Sequence, residues 1–228
     1  MKTLILLLFS TLSVFAQDQG PGVTGALSGV INLTVRGTSQ YATIASSPNV
    51  PFPAGTQAGD YVLIFGACVY GLTNNGTGWT LVYNGPGGNV TGFVWNKNVT
   101  AGDVSTGYVN FTAGVSAIFF LVDFSVVGSI RESPNTVGPS SANPYTITTS
   151  SAVLTSDMLF TMCASRDSGA ATVTMSPGTV LYTGGDGIGY LSWGFLQYTP
   201  ASAGVQNTTC NFSPFFRQND VTVVMRYP

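Results

Sequence analysis

The side chains that could do chemistry are few, and those most often used for it are missing. The chain has no histidine, so neither a Ser–His nor a Cys–His pair can be built. Its nine acids are Asp18, Asp60, Asp103, Asp123, Glu132, Asp157, Asp167, Asp186 and Asp220. Glycoside hydrolysis needs two carboxylates about 5–10 Å apart across the scissile bond. Asp60, Asp103 and Asp157 instead stand where a turn feeds a strand, the usual place of a carboxylate that caps backbone amides. Asp123 differs, lying inside the apolar run 117–127; turned inward, it needs a cation such as Arg131, Arg166 or Arg226. Cys68, Cys163 and Cys210 match no zinc spacing. In an oxidising compartment two of them close a disulfide, in any of three pairings, and the third stays a thiol or joins another chain. The expectation is a protein that is not an enzyme, with no catalytic residues, no metal and no cofactor.

Aromatic side chains offer a second chemistry, the stacking of sugar rings. Trp79, Trp95 and Trp193 are the candidates. Phe93 with Trp95, and Trp193 with Phe195, alternate at period two, the pattern of a sandwich interior. Trp79 follows the turn Asn74–Gly78 and belongs to no such pair, which makes it the candidate glycan-stacking residue.

These groups sit in a chain with the marks of export. Met1-Lys2-Thr3, the apolar run 4–9 and Val14-Phe15-Ala16 before Gln17 describe a signal peptide over residues 1–16. That run is short of the about 20 residues a membrane span needs, and the end 221–228 has no lipid-anchor signal. Charged residues make up 7% of the chain and the net charge is −2, which leaves no electrostatic footprint for nucleic acid. Asn-x-Ser/Thr occurs at Asn32, Asn75, Asn89, Asn98, Asn110, Asn207 and Asn211, seven of the fourteen asparagines. About three would be expected from the Ser and Thr content alone. Glycans there would keep a charge-poor surface soluble. A Thr- and Asn-rich surface protein with unused sequons is the alternative.

Runs rich in Val, Ile, Thr, Tyr and Phe alternate with Gly-, Asn- and Pro-rich turns, which predicts an all-β protein. Fourteen strands are expected, near 30–35, 40–45, 60–70, 79–83, 90–96, 107–111, 116–127, 145–149, 157–164, 172–175, 179–182, 189–198, 208–212 and 220–227. An internal repeat also emerges. Asp60-Tyr-Val-Leu-Ile-Phe parallels Asp157-Met-Leu-Phe-Thr-Met, Gly78-Trp-Thr-Leu-Val-Tyr parallels Pro177-Gly-Thr-Val-Leu-Tyr, and Gly92-Phe-Val-Trp answers Gly189-Tyr-Leu-Ser-Trp. The expected organisation is a single jelly-roll-like β-sandwich over 36–228, built from two repeated halves at about 57–127 and 154–227 with a link at 132–144. Two tandem domains are the alternative. Residues 17–35 belong to neither half and form either a tail or a strand that pairs with a neighbour's sheet edge.

Pro-Ala-Gly-Thr-x-Ala-Gly-Asp before an apolar strand (53–65), Gly-Trp-Thr-Leu (78–81) and Thr-Ala-Gly-Asp (100–103) together resemble a β-sandwich module of phage tail and virion proteins and of bacterial secreted or cell-surface proteins. The resemblance spans about residues 50–227. It implies adhesion, decoration or assembly, and carries over no catalytic residues. The leading expectation is a secreted structural glycoprotein that self-assembles into an extracellular filament, coat or matrix, with copies of itself as partners. A glycan-binding or adhesive module stands second and a glycoside hydrolase a remote third. No nucleic acid and no membrane insertion are expected.

Overall fold

Strand after strand is built from the β-branched and aromatic runs, and the turns between them carry the glycines. A computed structural model describes residues 33–85, 90–114, 116–125, 129–132, 135–136, 144–149, 152–166, 172–185, 191–213 and 217–226, with backbone alone for 129–132, 135–136 and 217–226. The expected signal peptide, most of segment 17–35, Asn32, Asn89 and most of the link 132–144 lie outside the described residues.

The first half contains β1 (Val35–Thr43), β2 (Asn49–Pro51), β3 (Tyr61–Cys68), β4 (Leu72–Asn74), β5 (Thr80–Gly85), β6 (Thr91–Asn98), α1 (Ala101–Thr106), β7 (Tyr108–Ala113) and β8 (Ala117–Phe124). The second contains β9 (Ser129–Glu132), β10 (Asn135–Thr136), β11 (Tyr145–Thr148), β12 (Met158–Arg166), β13 (Thr172–Ser176), β14 (Thr179–Gly185), β15 (Ser192–Tyr198), β16 (Asn207–Ser213) and β17 (Arg217–Arg226). The described chain is all-β with one short helix. A five-stranded sheet runs β1-β8-β3-β6-β5, and a three-stranded one runs β2-β7-β4. A six-stranded sheet runs β10-β17-β12-β15-β14, with β9 also on β17, and another three-stranded one runs β11-β16-β13. Every pairing is antiparallel.

These sheets stack in four layers. Leu63, Phe65, Val94, Phe120 and Val122 of the five-stranded sheet share one apolar cluster with Phe160, Met162, Trp193 and Phe195 of the six-stranded sheet. On its other face, Val62, Ile64, Phe93, Trp95, Phe119 and Leu121 meet Val50, Leu72, Val109 and Phe111 of the sheet β2-β7-β4. Cys163 and Leu196 likewise meet Ile147, Val173, Met175, Cys210 and Phe212. All eight residues of β3 and of β8 are therefore buried. A strand covered on both faces has no polar face to alternate with, which is why these segments read as unbroken apolar runs.

The two central sheets run in opposite strand order. Phe65 contacts Phe160 and Phe195 at ring centroid distances of 6.4 and 5.0 Å. β17 lies over β6. At the other side Tyr182 of β14 stacks on Phe120 at 5.9 Å and shares a 2.9 Å hydrogen bond with Thr38 of β1. One end of the stack thus carries the edge strands β1 and β14, and the other carries β5 and β10.

The two tryptophans expected at matching places of the repeat face different cores. Trp95 points into the first half's own sandwich, whereas Trp193 points to the centre of the stack. The parallel Phe93/Trp95 with Trp193/Phe195 is one residue out of register. Gly66 pairs with Phe93 and Cys163 with Gly194, and a one-residue slip moves every side chain to the opposite face.

Candidate functional site

Both sheets of the first half end beside one another in a slot. β5 pairs with β6 and β4 with β7, so among the described residues β4 and β5 are two separate edges. Between them lies a cavity of about 360 Å³, lined by Leu72, Thr73, Asn74, Gly76, Trp79, Leu81, Asn84, Phe93 and Trp95. A second hollow of about 200 Å³ shares Gly76 and Trp79 and continues to Thr77, Asp103, Thr106, Tyr108, Val109 and Asn110.

Trp79 forms the partition, and the turn before it sets its position. Asn74 Oδ1 accepts a 2.8 Å hydrogen bond from the Gly76 N–H, a side-chain-closed turn of the kind Asn favours. A Cβ on Gly76 would lie 2.8 Å from the Trp79 Cδ1 and Nε1 atoms, so only glycine lets the turn rest against the indole. Phe52 stacks at 6.4 Å with an interplanar angle of 15°, and the Lys97 Nζ lies 5.8 Å from the ring centroid. Trp79 is consequently half-buried, held from more than one side, and meets the slot without standing free of the surface.

Charge near the slot is neutralised locally. Lys97 Nζ donates to the Thr77 carbonyl at 2.8 Å and pairs with Asp103 Oδ1 at 2.6 Å. Asp103 also closes a capping box: the Thr100 N–H donates to its Oδ2 at 2.8 Å, and its own N–H donates to Thr100 Oγ1 at 3.2 Å. Burial pulls the Asp103 carboxyl upward, but the bonds from Lys97 and Thr100 outweigh it and hold the group below its usual range. Asp60 and Asp157 cap their turns as the sequence suggested, accepting from the Gln57 and Leu154 N–H groups at 2.7 and 2.8 Å. Among the described residues, no charged side chain lines the slot itself.

Asp123 is fully buried in β8, and neither of its oxygens has a hydrogen-bond partner. Of the cations considered for it, Arg166 lies over the Tyr70 ring instead, at 5.5 Å; the side chains of Arg131 and Arg226 are outside the described residues. The cation nearest in effect is Arg36, which is engaged with Asp60 at 2.9 and 3.1 Å. Burial pushes the Asp123 carboxyl up to about 6, the Thr56 hydroxyl opposes this, neighbouring Asp60 adds to it, and Arg36 offsets it in part. Among the described residues Asp60 and Asp123 approach one another, and neither lines the slot. Among the described residues no three His, Cys, Asp or Glu side chains gather as metal ligands, and no helix is long and apolar enough to cross a membrane.

Cys163 of β12 is bonded to Cys210 of β16, joining two layers of the second half. Cys68 is outside the disulfide and buried in β3. Among the sequons, Asn98 ends β6 and Asn211 lies on β16, both exposed. Asn75 and Asn110 touch: the Asn75 amide donates to Asn110 Oδ1 and Thr112 Oγ1, both at 2.9 Å, and the Asn110 amide donates to Asn49 Oδ1 at 2.8 Å. Asn207 is exposed, with its Oδ1 accepting from Thr148 at 2.8 Å. Sequence reasoning named Trp79 but missed Asn74, Asn84, Thr73 and Leu81, whose assembly depends on where β5 pairs.

Comparison with protein-family models, with curated proteins and with solved structures gave no match to this chain.

Proposed function

We propose that the chain is a secreted structural glycoprotein that assembles through its sheet edges into an extracellular filament, coat or matrix. The supporting observation is the pair of charge-free edge strands at opposite ends of the stack. β5 reads TLVYNG and β14 reads TVLYTGG, without one charged residue. Each carries an exposed apolar side chain, Leu81 at 50% and Val180 at 39% exposure, immediately before a register shift. Edge strands of soluble monomers are normally blunted by charged side chains, Pro or β-bulges; these lack charge and Pro and carry one register shift each.

An internal duplication would give the two edges the same role. The order β1-β8-β3-β6-β5 over β2-β7-β4 parallels β10-β17-β12-β15-β14 over β11-β16-β13, with β9 on β17 as an extra strand. The register shift at Leu81/Tyr83 matches that at Val180/Tyr182. Each half reads as a jelly roll whose fifth strand has changed sheets, and the two are joined back to back. A chain with two equivalent ends can join head to tail without closing, the geometry of filaments and lattices. Jelly rolls serve as coat and lectin domains alike, so the fold leaves the choice to the edges.

The test is light scattering and electron microscopy of the full secreted chain, beside a Leu81→Lys/Val180→Lys variant. Filaments or large regular oligomers that vanish in the variant are expected. A wild-type monomer at every concentration, or a variant that assembles normally, overturns the proposal.

A further inference from the structure

The slot between β4 and β5 is a cavity bounded on one side by the β5 edge, whose Leu81 and Asn84 line it. We infer that it binds a neutral carbohydrate, one or two uncharged pyranose units entering between the two sheets. This rests on the slot and not on the assembly reading, although the two share the β5 edge and Leu81.

Shape comes first. A volume of about 360 Å³ falls within the range of about 300–1,000 Å³ typical of small-molecule sites. Its apolar walls are Trp79, Trp95 and Leu81, rigid surfaces suited to the C–H faces of a sugar ring. Its polar groups are the amides of Asn74 and Asn84 and the hydroxyl of Thr73. Amides and hydroxyls both donate and accept, which matches sugar hydroxyls that do the same.

Two further observations narrow the ligand. The Asn74 Nδ2 group is buried and has no hydrogen-bond partner, although the same side chain's oxygen is fixed by the Gly76 N–H at 2.8 Å. An unpaired buried donor is costly; this nitrogen is closed to solvent, so a ligand hydroxyl reaches it only when the Asn74 side chain, which lines the slot, turns outward. Charge decides between sugars: among the described residues no cation lines the slot to receive a carboxylate or sulfate, and Lys97 beyond Trp79 is already neutralised by Asp103 at 2.6 Å. Sialylated, sulfated and uronic-acid glycans therefore gain nothing here.

The test presents the full chain, made without N-glycans because the Asn75 sequon borders the slot, to oligosaccharides of glucose, galactose, mannose and N-acetylglucosamine, with sialylated and sulfated glycans alongside. Binding to at least one neutral series is expected, with a loss of at least about tenfold in Asn84→Ala, an exposed side chain whose removal leaves the core intact, and in Trp79→Ala. Thermal melts of both variants check the fold, and light scattering of the same samples separates lost sugar binding from lost assembly. Retention of acidic glycans only, of no neutral series, or equal binding by folded Asn84→Ala and wild type overturns the inference.

Discussion

Replacing Asp123 by Asn should stabilise the protein by about 2 kcal/mol at neutral pH and cost it about 1 kcal/mol in acid. The carboxyl is fully buried among apolar strands with no hydrogen-bond partner. Burial, with Asp60 beside it, raises it from 3.8 to about 6, against the smaller pull of Thr56 and Arg36. Below pH 3.8 both the folded and the unfolded chain hold the proton, so the group carries no penalty. Between 3.8 and about 6 the unfolded state ionises first and stability falls; above about 6 the loss is constant. At about 1.4 kcal/mol per pH unit this comes to about 3 kcal/mol. The buried amide that replaces the carboxylate forfeits about 1 kcal/mol for its own desolvation, which leaves a net gain of about 2 kcal/mol. Urea unfolding followed by tryptophan fluorescence at about pH 3 and about pH 8 measures the difference directly. A variant less stable than wild type at the higher pH, or a change of equal size at both, would refute the reasoning and show the ionised carboxylate to be paired with Arg36.

Removing the disulfide by Cys163→Ala/Cys210→Ala should lower stability by about 2–4 kcal/mol in the same urea titration, since it closes 47 residues of chain. Two glycine substitutions should have opposite signs. A Cβ on Gly194 would lie 2.5 Å from the Met175 sulfur and 2.9 Å from Val173 Cγ1, so Gly194→Ala should cost about 1–3 kcal/mol. In α1 a Cβ on Gly102 would meet nothing nearer than 3.7 Å, and Gly102→Ala should gain up to about 1 kcal/mol; melting temperatures read both.

How much of this was legible in the sequence depended on how local each feature was. The long apolar runs at 60–70, 116–127 and 157–164 became β3, β8 and β12, because a strand buried on both faces needs only its own composition to be recognised. β2 and β4 escaped notice: each has three residues, and β2 ends in Pro51. Thr100-Ala-Gly-Asp103 read as a turn but opens α1, whose capping box is a reciprocal contact that the residue types permit without requiring. The separate runs 30–35 and 40–45 gave one strand, β1, since Gly37 allows a bulge where a Cβ would press on Pro53 at 3.2 Å. The slot was illegible for a deeper reason. It exists because β5 pairs with β6 and not with β4, a choice made by the fold as a whole.

The double burial of the central strands also sets a timetable for making the protein. Phe65, Phe120 and Phe124 lie in the cluster whose other members, Phe160, Met162 and Phe195, come from the second half. About 100 residues follow β8, and at about 5–20 residues per second they take about 5–20 s to synthesise. Throughout that interval the first half can complete its own sandwich, yet it presents a bare aromatic sheet to its surroundings. A nascent chain in that state is open to misassociation, and slowed translation past residue 128 should lengthen its exposure.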